Sequence, residues 1–218
     1  MSPVRPPEEA SHRSAKHAGY LVTPAPALAD PHFDDFLAQA RLLARGGAPA
    51  CARAAGVAGA LASLVRSGWQ MPDPRYRAMQ SGAPYGSWLL YLDPHSQLCV
   101  VLDVFGPGQV AAIHNHCCWG AFACLAGAER ERHYRLEGGA PVQAGERLMQ
   151  PGDVAVVEPP GETFHQVECA SAQASTSLHV YGRDIGRIER QRWDGTRFIA
   201  FRSAYSNDTV GLAPYRVD

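Results

Sequence analysis

From Trp88 onward the chain is cut into short apolar or alternating runs, each soon stopped by Gly, Pro, Asp or Asn. SWLLYLDP, QLCVVLDVFGPG, QVAAIHNHCCWGAFACLAG, ERERHYRLE, ERLMQPGDVAVVEPPG, HQVECA and STSLHVYG follow one another in this way. So dense a series of short strands predicts an antiparallel sandwich or barrel. Within ERERHYRLE, Arg130, Arg132 and Tyr134 alternate with Glu131, His133 and Arg135, the pattern of a strand facing solvent.

The preceding segment has a different texture. FDDFLAQARLLARG places Phe33, Phe36, Leu37, Ala40, Leu43 and Ala44 near a helical period, with acids early and arginines late. GVAGALASLVRSGW follows the same logic, and MPDPRYRAMQSGAPYG is a Pro-rich break. Two amphipathic helices are therefore expected over residues 31–70, packed on a barrel spanning about 85–210 within a single domain, 31–218. The stretch up to residue 30, with Pro3, Pro6, Pro7, Pro24 and Pro26, reads as a disordered leader.

Composition narrows the function classes. The 218 residues suit one large domain, and 46% hydrophobic with 19% charged residues suits a globular core. A formal net charge of −1 supplies no basic field for nucleic acid. No stretch approaches the roughly 20 apolar residues of a membrane helix, and the first residues lack the apolar core of a secretory signal. A cytoplasmic protein without nucleic-acid or membrane partners is expected. Its six cysteines, at 51, 99, 117, 118, 124 and 169, then read as reduced thiols serving as buried small hydrophobes.

AAIHNHCCWG concentrates the metal-binding side chains. On a strand, His114 and His116 share a face and Asn115 points the other way. Alone, the pair fits either polar residues of a half-exposed strand or two ligands of one metal. Further on, GDVAVVEPPGETFH carries a Pro159-Pro160-Gly161 turn and His165. Gly108 six residues before His114, the His-x-His pair, and the Pro-x-Gly turn leading to His165 resemble the two motifs of the cupin superfamily. The resemblance implies a mainly β fold, a jelly-roll β-barrel (double-stranded β-helix), with metal held inside. Where the first motif has Glu, this chain has Gly120 and Ala121, and the second motif carries one extra residue before His165. The remaining set is His114, His116 and His165. Three neutral imidazoles leave the metal's full charge and one coordination face open. With iron such a site favours anionic thiolates; with zinc it would activate water instead.

More separated motifs make the resemblance narrower. GPGQ at Gly106–Gln109, H-x-H-x-x-W-G at His114–Gly120, GAE at Gly127–Glu129, HVYG-x-x-I at His179–Ile185 and YSN at Tyr205–Asn207 resemble the thiol dioxygenase branch of the cupins. Within it, bacterial 3-mercaptopropionate dioxygenases look closest. The resemblance covers roughly residues 85–210. It implies a mononuclear non-heme Fe(II) on His114, His116 and His165, and an outer triad of Ser177, His179 and Tyr181. The i, i+2, i+4 spacing suits one strand aiming three side chains inward. On its residues alone SLHVY also reads as an ordinary core strand.

The resemblance further implies that O2 and a small carboxylated thiol are converted to a sulfinic acid, with Arg190 anchoring the carboxylate. Arg190 equally reads as a solvated arginine, because Arg183, Arg187 and Arg192 lie nearby. Animal cysteine dioxygenases form a cysteine–tyrosine thioether; here the cysteine position is Ala121, so none is expected with Tyr181. Just before the first barrel strand, cysteine dioxygenases carry Arg and mercaptopropionate enzymes Gln. Ser87 stands there instead, leaving Arg75 or Arg77 to substitute, or the acid to be larger than 3-mercaptopropionate. Other readings are dioxygenation of cysteine, cysteamine or mercaptosuccinate, a non-catalytic cupin that senses or binds a small molecule, and a zinc or manganese hydrolase or isomerase.

Overall fold

A computed structural model describes residues 30–80, 82–157 and 164–217. The leader and the Pro159-Pro160-Gly161 turn lie outside these residues. Two helices lead, α1 (Pro31–Arg45) and α2 (Ala50–Arg66), followed by a 3₁₀ turn at Pro74–Arg77. Ten strands follow among the described residues: β1 (Gly86–Leu92), β2 (Cys99–Phe105), β3 (Gly120–Ala126), β4 (Glu129–Glu137), β5 (Ala140–Met149), β6 (Val154–Val157), β7 (Phe164–Cys169), β8 (Ser175–Tyr181), β9 (Arg190–Trp193) and β10 (Phe198–Phe201). A short α3 (Ser206–Val210) comes after them. No helix among the described residues is long and apolar enough to cross a membrane.

The strands form an antiparallel sheet in the order β1-β2-β8-β3-β6, a second in the order β5-β4-β7, and the pair β10-β9. Sequence-distant strands thus become neighbours, as in a jelly roll. The fold is mainly β with N-terminal helices, the class expected from the run of short strands. The helices matter because the five-stranded sheet is buried on both faces. Val100, Leu102 and Val104 of β2, Ala121, Ala123 and Leu125 of β3, and Leu178 and Val180 of β8 join one apolar cluster. Phe33, Phe36 and Leu37 of α1 and Val57, Leu61 and Leu64 of α2 belong to the same cluster. The alternate residues, among them Asp103, Ser177, His179 and Tyr181, therefore face the barrel interior. The helices act as an apolar cover, and each large side chain they bury contributes roughly 1.5–3 kcal/mol.

Asp30 ties this cover down. Its carboxylate caps α1 through the Phe33 amide (3.2 Å), and also accepts from the Trp69 indole (2.8 Å) and the Tyr215 hydroxyl (3.2 Å). Asp30→Ala removes a helix cap and leaves the buried indole N–H without a partner. A loss of about 2–4 kcal/mol is expected, read as a thermal midpoint lowered by roughly 5–10 °C.

The structure differs from the sequence reading in three places. Residues 111–119 are not a strand; His114 makes isolated bridges to His165 and Arg192, and β3 begins only at Gly120. The segment is held across the barrel mouth by neighbours, which apolar periodicity does not reveal. β4 is not simply solvent-facing: Glu129 and Glu131 are buried at 1% and 2% exposure, because this face of the second sheet closes the barrel. Of the cysteines, Cys99, Cys118 and Cys124 are buried, Cys169 is intermediate, and Cys51 and Cys117 are exposed.

Candidate metal centre

Two motif glycines let the strands close on one another. A side chain at Gly120 would meet the Val180 carbonyl at 2.8 Å and the Tyr181 ring at 2.9 Å. One at Gly182 would strike the Trp119 indole at 2.2 Å, and the Gly182 amide donates to the Trp119 carbonyl at 2.9 Å. The W-G and HVYG motifs therefore set the contact that presses β8 and its tyrosine against the histidine loop.

His114, His116 and His165 meet inside the barrel. Their candidate ligand atoms lie within 4.8 Å of one another, and all three side chains are buried. Ring centroids are separated by 4.9, 4.7 and 4.6 Å. Reciprocal amide–carbonyl bonds of 2.9 Å between His114 and His165 bring the loop onto β7. The other ring nitrogens are oriented. His114 Nδ1 lies 2.8 Å from the Ala112 carbonyl, which only accepts, so Nδ1 carries the proton. His165 Nδ1 lies 2.6 Å from Glu131, whose carboxylate also takes a short bond from Arg147. Burial pushes the Glu131 carboxyl up, but the bonds from His165 and Arg147 outweigh it and hold the group well below its ordinary range. His165 Nε2 is buried and has no hydrogen-bond partner. Burial, then mutual repulsion, holds His114 and His116 neutral. A buried ring nitrogen with no partner, in a cluster of three histidines backed by a carboxylate, fits a metal ion.

Three residues of β8 continue from this centre. Ser177 Oγ lies 2.8 Å from His179 Nε2, His179 Nδ1 lies 3.0 Å from the Tyr181 hydroxyl, and that hydroxyl lies 3.3 Å from His116 Nε2. Phe122 stacks on His179 at 5.0 Å and Tyr181 on His116 at 5.1 Å. Burial drives the His179 imidazolium pKa down to about 3 and the Tyr181 phenol well above its usual value. The chain thus holds a neutral imidazole between two intact hydroxyls.

No protein-family model matches the chain. Solved structures similar to it include the cupin domain of Cnp3 from Schizosaccharomyces pombe, 14% identical over 49% of this chain and 64% of that chain, TM-score 0.39. A cupin 2 conserved barrel domain protein from Salinispora arenicola is 17% identical over 52% of this chain and 87% of that one, TM-score 0.39. An oxalate oxidase is 15% identical over 52% of this chain and 59% of that one, TM-score 0.39. The chain spans less than two thirds of the length of the Cnp3 domain and of the oxalate oxidase.

Arg190 is placed by β9. It is 4% exposed, stacked over the Phe201 ring at 4.7 Å, and donates to the Asn115 carbonyl (3.3 Å) and to Ser203 Oγ. Its Nε has no partner. Arg183, Arg187 and Arg192 are exposed, so Arg190 alone of the four turns inward. Arg75 and Arg77 are exposed too, and Arg75 pairs with Asp73 at 2.6 Å. Neither lines the cavity, so neither replaces the missing residue at Ser87. The histidines, Tyr181, Arg190 and Ser87 line a cavity of about 30 Å³ beside a wider one of about 390 Å³. Tyr85, Ser87, Ala111, His114, Ser203 and Tyr205 line both.

Sequence reasoning missed Glu131, Glu129 and Asp103. Glu129 faces Ser177 and Ser175 with both carboxyl oxygens lacking a hydrogen-bond partner. Burial pushes its pKa up to about 8. A buried acid raised above its unfolded value destabilises the fold as pH climbs from about 4.5 toward 8, where it must lose its proton. Glu129→Gln is therefore expected to match wild type near pH 5 and to exceed it by a few kcal/mol near pH 9, read from urea midpoints.

Proposed function

We propose that this chain is a mononuclear iron dioxygenase of a small carboxylated thiol, acting on the thiol and O2 to give the sulfinic acid. The observation that carries the reading is that the Ser177–His179–Tyr181 chain ends against His116 in a cavity that also holds one inward arginine. His114, His116 and His165 would hold Fe(II), whose redox chemistry joins dioxygen to sulfur.

The remaining work belongs to the protein. A neutral His179 has one ring proton. With Ser177 donating to Nε2, Nδ1–H donates to the Tyr181 oxygen, and the phenolic proton is free to point at reactants in the cavity. Arg190, buried and with Nε unpaired, supplies a cation for the carboxylate. Val101, Phe105, Val167 and Ile185 supply an apolar part of the wall that limits water beside reactive sulfur. A serine at 87 leaves open the boundary shared with the wider cavity, which suits an acid bulkier than 3-mercaptopropionate.

The test is oxygen uptake by Fe(II)-loaded protein with 3-mercaptopropionate, cysteine, cysteamine and mercaptosuccinate, with the sulfinate identified. Uptake with a carboxylated thiol is expected, and Arg190→Ala should raise its KM about tenfold or more while sparing cysteamine, which has no carboxylate. No uptake with any of them, in protein holding one iron, favours a non-catalytic binding module. Activity restored by zinc alone favours a hydrolase.

A further inference from the structure

Asp103 is the one acid in the cavity wall that the proposed reaction leaves without a task. It sits in the middle of β2, paired within the five-stranded sheet with Ser87 on β1 and Ser177 on β8. It is 8% exposed and lines the same cavity as the three histidines and Arg190. Its Oδ1 has no hydrogen-bond partner, and its Oδ2 stands 3.7 Å from His179 Nε2, too far for a hydrogen bond. No lysine or arginine forms an ion pair with it among the described residues. The Ser87 hydroxyl is the one donor among those residues that acts on the carboxyl, and a buried Oδ1 left unpartnered costs free energy unless something supplies a second.

We infer that Asp103, with the Ser87 hydroxyl beside it, is a subsite for a cationic hydrogen-bond donor, so that the substrate is a thiol acid carrying an ammonium group as well as its carboxylate. The argument is one of complementarity. Arg190 offers a cation with an unused N–H, and Asp103 offers an acceptor with an unused oxygen, in one cavity. A ligand bearing only a carboxylate satisfies the first and leaves the second orphaned; a zwitterion satisfies both. Position 87 contributes through its size, because a long side chain there would fill the space next to Asp103. Burial alone pushes the Asp103 carboxyl up to about 7, against a smaller opposing pull from Ser87 and Arg190, so the acid is poised to ionise when an ammonium arrives.

This inference rests on the dioxygenase reading for the thiol, and its test separates the two. Cysteine and 3-mercaptopropionate differ only by the α-amino group. Both are titrated calorimetrically, without oxygen, into Fe(II)-loaded wild type, Asp103→Asn and Asp103→Leu, each checked by thermal melting. Wild type is expected to bind cysteine about 10- to 100-fold more tightly. Asp103→Leu should erase that preference without weakening 3-mercaptopropionate, and Asp103→Asn should keep part of it. Equal binding, tighter 3-mercaptopropionate binding, a preference that survives Asp103→Leu, or no binding of either thiol overturns the subsite. Oxygen uptake by the same proteins gives the second readout. Uptake with an unaltered preference refutes the subsite and leaves the dioxygenase standing. A preference lost in Asp103→Leu with no uptake of oxygen supports the subsite and overturns the dioxygenase.

Discussion

Replacing His165 with alanine is expected to abolish tight metal binding. The three imidazoles form the whole ligand set found among the described residues, and His165 is the one whose buried nitrogen has no other partner. Binding free energies of closed sites amount to a few kcal/mol per ligand, so losing one of three should weaken affinity roughly 10³-fold. Competition with a chromogenic chelator measures this directly, and metal analysis after dialysis checks it. Glu131→Gln should have a smaller effect, about 10- to 100-fold, because it removes only the carboxylate that orients His165 Nδ1. A His165→Ala protein that retained wild-type affinity would mean that the metal sits elsewhere or that none is used.

Tyr181→Phe is expected to lower turnover about 100-fold while iron content and KM stay near wild type. The phenol is kept protonated by burial and is fixed by His179 at 3.0 Å, so its loss removes one aimed donor and little volume. The ring's stacking on His116 survives in phenylalanine, which is why metal binding should not follow. Ser177→Ala should act in the same direction more weakly, because it frees His179 to turn rather than removing the donor. Steady-state kinetics beside metal analysis decide between this role and a packing role. Unchanged kcat in Tyr181→Phe would leave the hydroxyl without a part in the reaction.

The legible portion of this molecule is the part written as local spacing. His114 and His116 two apart and His165 after a Pro-x-Gly turn can be read as motifs before any fold is known, though His114 and His116 share their face through a loop, not a strand. Ser177, His179 and Tyr181 lie on alternate positions of one strand, whose period places them on a common face. The helices were legible for the same reason. The Glu131 contact was not: alternating charge on β4 looks alike whether the inner face meets water or a histidine. Asp103 was hidden inside an apolar run, where a single acid gives no sign of its partner or of lacking one. Arg190 stood among four arginines that sequence alone leaves equivalent.

The sequence by itself thus determined the class of fold, through its dense run of short strands, and the common face of Ser177, His179 and Tyr181, through strand period; it singled out the three histidines through the resemblance of their motifs. Only the tertiary structure decided which arginine turns inward, that Ser87 opens onto a second cavity, and that an unpaired acid faces the same space. Those facts depend on strands far apart in sequence, β1, β2, β8 and β9, being brought to one cavity. Burial there, and not residue type, turns an ordinary arginine or aspartate into a group that needs a partner.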